Sequence, residues 1–305
     1  ETVKAHSAKT VDEYFLDLRT FFRYLKRSRG LVSPDTPWDS ISIADVDLEL
    51  VGSVSLSEIY DYLIFLSRER QLNTASLARK IAAIRSFYRY LTSKAHLLEE
   101  NPVQELDSPR MKKTLPRYLT LEESLALLDA VQGKNKERDY CILMLFLNCG
   151  LRISELVNLN VSDIQGDTIR VQGKGNKERI LYLNDGCKAA LESYLTVRAM
   201  LSLQHEPALF VSNRRTRITR AGVHKMVKKY LLTAGLDASK YSAHKLRHTA
   251  ATLMLQNGVD VRTLQEVLGH DHLNTTQIYT HISNDDLKIA AKANPLADAR
   301  QKKGS

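Results

Sequence analysis

The sequence predicts a mainly α-helical protein that carries one small β element and divides into two domains. Three observations lead there. Apolar residues recur at spacings of three and four through most of the 305 residues. One stretch, "DTIRVQGKGNKERILYL" at 167–183, switches to alternation around a Gly-rich turn and reads as a β-hairpin. Residues 101–117 place Pro102, Pro109 and Pro116 among basic residues, a proline spacing that no helix survives.

The elements follow in order. "TVDEYFLDLRTFFRYL" puts Val11, Tyr14, Phe15, Leu18, Phe22 and Leu25 on one helical face. A second amphipathic segment, "LSEIYDYLIFLSRER", comes after a stretch at 34–46 that contains Pro and Asp. A third, "NTASLARKIAAIRSFYRYLT", aligns Leu77, Ile81, Ile84, Tyr88 and Leu91 and leaves Arg79, Lys80, Arg85 and Arg89 on its other faces. Residues 1–108 are therefore expected to form a helical domain, and 109–117, with Lys112 and Lys113, a basic linker. The second domain, 118–305, opens on "TLEES", which has the form of a capping box. It continues through a buried helix "DYCILMLFLNCG" stopped by Gly150, crosses the hairpin, and returns to helices.

Composition narrows the function. Hydrophobic content of 43% is enough for substantial cores, and 44 Lys and Arg against 35 acids give a formal charge of +9. That excess suits a polyanionic partner. Cys141, Cys149 and Cys187 show no CxxC pairing and no metal spacing, so a disulfide-built secreted domain is excluded and a reduced cytoplasmic protein expected. The longest apolar run, "CILMLFL", is too short to span a bilayer, and no secretory signal is visible.

The charge is also oddly placed. "SAHKLRHTAATLML" at 242–255 is a core-forming helix that opens with His244, Lys245, Arg247 and His248. Helix N-termini ordinarily favour acidic side chains, so this start is suited to an anion supplied from outside. From Val211 to Gly235 there is no acidic residue, while Arg214, Arg215, Arg217, Arg220, Lys225, Lys228 and Lys229 are present. That run, like the basic faces of 73–92, is expected to lie against nucleic acid.

Six residues complete one pattern. Arg152 follows the helix stop at Gly150, Lys174 sits in the hairpin turn, and His244 and Arg247 share a helix face at i, i+3. His270 follows Gly269, and Tyr279 lies nine residues later. With "GLRISEL", "GKGNKER", "HKLRHTAATLML" and "LGHDHLNTTQIYTHI", the chain resembles the tyrosine recombinases, and most closely their Xer-like branch. The resemblance covers about 115–283 closely and the N-terminal helices more loosely; Asp271 and His272 depart from the family's usual small residues.

The resemblance implies a two-domain DNA clamp with a SAM-like N-terminal domain. It makes Tyr279 the nucleophile that forms a 3′-phosphotyrosine, Arg152 and Arg247 the holders of the non-bridging oxygens, and Lys174 the acid for the leaving 5′ oxygen. His244 and His270 add hydrogen bonds, and Glu155 orients a neighbour. Two guanidiniums suit this work because paired planar donors match two phosphate oxygens. No metal or cofactor is expected: HExxH, clustered carboxylates and a P-loop are missing from the sequence. The implied partners are double-stranded DNA with paired inverted half-sites and a tetramer of this chain or of a related recombinase, with a DNA translocase or directionality factor as accessory. Xer-like dimer resolution and mobile-element transfer both fit, the lack of an extra N-terminal arm-binding domain leaning toward the former. The alternatives are type IB topoisomerase-like relaxation, with the same chemistry, and a non-catalytic DNA-binding regulator. A last helix in "SNDDLKIAAKANPLADARQ" is expected either to fold back on its own domain or to dock in a neighbouring subunit.

Overall fold

The computed structural model describes residues 8–107, 117–173, 178–201, 203, 206–269, 289–296 and 299. They belong to two compact units, Glu1–Thr114 and Leu115–Ser305. No described helix is long and apolar enough to cross a membrane.

The first unit is built from α1 (Ala8–Ser28), α2 (Leu48–Gly52), α3 (Leu56–Arg68) and α4 (Thr74–Ser93). Short polar side chains start three of them. Asp47 accepts from the Leu50 N–H, Ser55 and Glu58 form a reciprocal capping box, and Asn73 accepts from the Ser76 N–H. Phe21, Leu25, Ile59, Tyr62, Ile81 and Tyr88 make the centre of the core. Each contributes about 1.5–3 kcal/mol by leaving water. The apolar face expected for α1 needs correcting. Phe21 is fully buried, whereas Phe15 is 54% exposed and Val11 38%. Asp17 lies against Lys80 and Phe22 against Phe87, so α1 and α4 run in the same direction. The first turns of α1 therefore reach only the start of α4 and have little to bury against.

The second unit contains α5 (Leu121–Asp129), α6 (Lys136–Cys149), α7 (Ile153–Asn158), α8 (Asp185–Ala199), α9 (Arg220–Thr233), α10 (Ala243–Gln256) and α11 (Val261–Leu268). Its axis is α6, buried at every position from Asp139 to Cys149, with α8 and α10 packed on it. An all-round apolar helix has no other stable place. All three thiols are buried and free, and burial pushes that of Cys141 well above its ordinary range. The capping box of Thr120 and Glu123 forms as the sequence predicts.

The β element is larger than a hairpin. β1 (Ile164–Gln165), β2 (Thr168–Gln172) and β3 (Glu178–Tyr182) form an antiparallel sheet in that order. Val171 pairs with Arg179 and Ile169 with Leu181. These four side chains share one face, and Ile169, Val171 and Leu181 are buried there. Arg179 thus turns inward, while its neighbour Ile180 is 56% exposed.

Two glycines carry the turns that matter. Gly150 ends α6 and Gly269 ends α11, both with left-handed backbone, φ 58° and 65°. A Cβ on Gly150 would come within 2.5 Å of the Leu268 side chain, and one on Gly269 within 3.1 Å of the Arg179 side chain. Residues 289–296 fold back on their own unit. Ala290, Asn294 and Leu296 are buried, and the Asn294 amide donates to the Leu147 carbonyl at 2.9 Å.

Candidate active site

Three elements bring their ends together: the α6–α7 junction, strand β3 with the α11 terminus, and the start of α10. Arg152 is the residue before α7, and Glu155 sits in that helix's first turn. The Glu155 carboxylate is 3% exposed and accepts from the Arg152 backbone N–H at 2.8 Å and from Arg152 Nη1 at 2.8 Å. On its other side Arg179 donates in parallel, Nη1 to Oε1 and Nη2 to Oε2, both at 2.9 Å. Arg247 Nη1 stands 3.8 Å from Oε2. The ion pairs described here set one carboxylate among three guanidiniums.

Main-chain carbonyls complete the frame. Arg247 Nη1 donates to Gly150 O at 2.7 Å and Nη2 to Leu268 O, so α10 holds the ends of α6 and α11. Arg152 Nη2 donates to Gly269 O at 2.9 Å, and Arg179 Nε to Val267 O at 3.1 Å. Two of these carbonyls belong to Gly150 and Gly269, whose left-handed backbone L side chains rarely adopt.

The electrostatics follow from that crowding. Burial alone would raise the Glu155 carboxyl, but hydrogen bonds from Arg179 and Arg152 outweigh it and hold it below the usual carboxylate range. Burial first, and the Arg152 charge second, push Arg247 down to about 10; Glu155 works the other way. Arg247 stays protonated at neutral pH. His244, exposed in the first turn of α10, is lowered by partial burial and then by Arg247, Lys245 and Arg152, which favours neutral imidazole. Its ring meets that of His248 edge-on, centroids 4.8 Å apart.

Of the six residues the sequence singled out, Arg152, His244 and Arg247 are thus brought together. Lys174, His270 and Tyr279 lie outside the described residues, as do Lys112 and Lys113 of the linker. Sequence reasoning missed Arg179. The signal was the strand's alternation, in which an arginine takes an inward register and an isoleucine an outward one.

The basic residues expected on DNA separate into two groups. Arg85 is half-buried and Arg89 exposed on α4, and Arg214, Arg215, Arg220, Lys225 and Lys228 are exposed. Lys80 and Arg217 are corrections. Lys80 is only 8% exposed, and its ammonium donates to the buried Asp17 at 2.8 Å. Arg79 pairs with the same carboxylate while its side chain remains 45% exposed. Arg217 donates to the carbonyls of Val157 and Leu159 and to the Asn160 side chain, tying a loop together. Both charges are used inside the fold.

Residues 117–285 match the phage integrase family, and residues 1–95 match its N-terminal SAM-like domain. The chain belongs to the phage integrase family. It is 52% identical, over 97% of its length and 84% of the relative's, to the tyrosine recombinase XerC of Caldanaerobacter subterraneus subsp. tengcongensis. The tyrosine recombinase XerC of Herpetosiphon aurantiacus is 38% identical over 88% of this chain and 91% of that one. Among solved structures, XerH site-specific recombinase bound to difH substrate in a pre-cleavage complex is similar with TM-score 0.65 and 25% identity, covering 92% of this chain and 78% of that one. A lambda integrase dimer bound to a COC′ core site shares the fold, with TM-score 0.65 at 18% identity, over 92% of this chain and 94% of that one.

Proposed function

We propose that this site-specific DNA recombinase cuts and rejoins strands through a 3′-phosphotyrosine on Tyr279. The observation that carries the reading is the cluster of guanidiniums around Glu155, with neutral-leaning His244 at its edge. In the proposed reaction the Tyr279 hydroxyl attacks the scissile phosphorus, its bond to the 3′-side phosphate forms, and the bond to the 5′ oxygen breaks. Arg152 and Arg247 hold the two non-bridging oxygens as charge builds on them. A neutral His244 accepts the tyrosine proton, alone or with His270, and Lys174 gives a proton to the departing 5′ oxygen. The phosphotyrosine conserves the bond energy, so attack by a 5′ hydroxyl of another strand reseals DNA without a nucleotide cofactor.

One nucleophile per chain sets the assembly. Exchanging both strands of two duplexes breaks four phosphodiesters, which requires four protomers, of this chain or of this chain with a related recombinase. Two protomers related by a two-fold axis on one duplex then read inverted half-sites. Within each protomer both units are proposed to engage the same duplex through Arg79, Arg85 and Arg89 on one and Arg214, Arg215, Arg220, Lys225 and Lys228 on the other. The biological role proposed is resolution of chromosome or plasmid dimers in the bacterial cytoplasm. Its support is the 52% identity to a XerC that spans nearly the whole chain.

Tyr279→Phe tests the chemistry. It is expected to keep half-site affinity and to give no denaturation-resistant adduct on a nicked suicide duplex. An adduct from the Phe variant would assign the nucleophile elsewhere.

A further inference from the structure

We propose that Arg179 is a positioning residue for strand cleavage: through Glu155 it fixes the phosphate-facing arginines, and through Val267 it fixes the α11 terminus that leads into His270. The inference rests on the reading of the site given above and assigns a role to a residue that touches no reacting atom.

The placement of Arg179 needs a reason. In β3 the inward register belongs to apolar side chains, and Leu181 two residues on obeys it. Arg179 occupies the same face while Ile180 is left in water. A strand that turns an arginine in and an isoleucine out gives up apolar burial for something else. All three of its donor nitrogens have defined acceptors, two on Glu155 and one on Val267 O, and the side chain is 13% exposed. Both nitrogens of its terminal fork are engaged on Glu155, which turns its work inward.

What it holds is the other arginines. Glu155 is charged, nearly fully buried, and also bonded to Arg152. A carboxylate that accepts a planar two-bond fork has its plane and position fixed. Arg152 then takes its direction from a fixed acceptor rather than a mobile one. The same guanidinium lies 3.1 Å from where a Cβ on Gly269 would stand, next to the residue whose carbonyl accepts from Arg152. Arg179 lies five residues after Lys174 in the sequence and belongs to β3. It therefore anchors β3 to the arginine cluster. A lysine in its place would keep the charge but could bond Glu155 through one nitrogen only.

The test is single-turnover cleavage of a nicked suicide duplex at saturating protein, with half-site affinity and melting temperature measured on the same variants. Arg179→Lys and Arg179→Met are each expected to lower the adduct rate about 10–100-fold, the scale of a small misplacement of reacting groups. Half-site affinity should stay within about threefold, and the lysine variant should melt close to the unaltered chain. In a Glu155→Gln background, Arg179→Met should lower the rate by less than about threefold further, because both act on one unit. Multiplicative losses would overturn the inference, as would a full-rate Arg179→Lys or a loss confined to affinity and melting temperature. An unaltered chain that forms no adduct would overturn the proposed function and this inference together.

Discussion

Each unit of this protein buries a carboxylate among cations, and the two arrangements end differently. In the first, Asp17 is 2% exposed and takes Lys80 and Arg79. The surplus positive charge leaves through Arg79, whose side chain is 45% exposed. In the second, Glu155 takes Arg152 and Arg179, with Arg247 at 3.8 Å. Their side chains are 36%, 13% and 6% exposed, so that surplus stays largely inside. Like charges held together out of water are costly, and Arg247 shows it in a lowered pKa. The first cluster closes a helix pair. The second concentrates positive potential where a phosphodiester can relieve it.

The sharpest way to break this comparison is to remove a cation from each. Lys80→Met strands Asp17 beside a single, half-exposed arginine and should destabilise the first unit by about 3 kcal/mol. The salt dependence of DNA binding should stay unchanged, and urea unfolding with a salt titration reads both. Arg152→Ala or Arg247→Ala should lower single-turnover cleavage by ~10²-fold or more, the scale of one lost transition-state donor, while DNA remains bound.

Smaller effects sharpen the assignment of surface charge. Arg217→Ala should cost about 1–3 kcal/mol of stability by removing the guanidinium that ties the Val157 carbonyl and the Asn160 side chain, with no change in salt slope. Arg220→Ala, exposed at the start of α9, should do the reverse, lowering the salt slope by roughly one with no loss of melting temperature. The smallest effect concerns Glu58, which its hydrogen bond from Arg29 holds at about 2. Its folded value lies below the unfolded one, so its contribution is complete above the ordinary carboxylate range and disappears as pH falls from about 4.5 to about 2. Arg29→Met should flatten that part of the stability profile.

The fold class was legible because periodicity reports burial. The run 141–147 reads as a buried helix, and α6 is one. Arg152, His244 and Arg247 were legible because residue type, spacing and family resemblance agreed. Other features depend on distances that spacing does not carry. Lys80 and Arg85 look alike on paper, yet Asp17, more than sixty residues away, decides that one is buried. Phe15 looks as apolar as Phe21, and only the reach of α4 along α1 separates them. Glu155 reads as a local i, i+3 partner of Arg152; its second partner comes from a strand whose arginine resembled any exposed strand charge. The tail illustrates a different limit. An amphipathic end can bury against its own unit or another, and Ala290, Asn294 and Leu296 are buried at home.

The central claim, that the Glu155 cluster exists for a charged scissile phosphate, is tested most directly by removing the phosphate's charge. A suicide duplex with a methylphosphonate at the cleaved position lacks one anionic oxygen but keeps the leaving group. On the ordinary phosphodiester, Arg152→Ala is predicted to form adduct ~10²-fold more slowly than the unaltered chain; on the methylphosphonate the two should agree within about tenfold. An equal loss on both substrates would contradict the account, because the arginine would then serve only the fold.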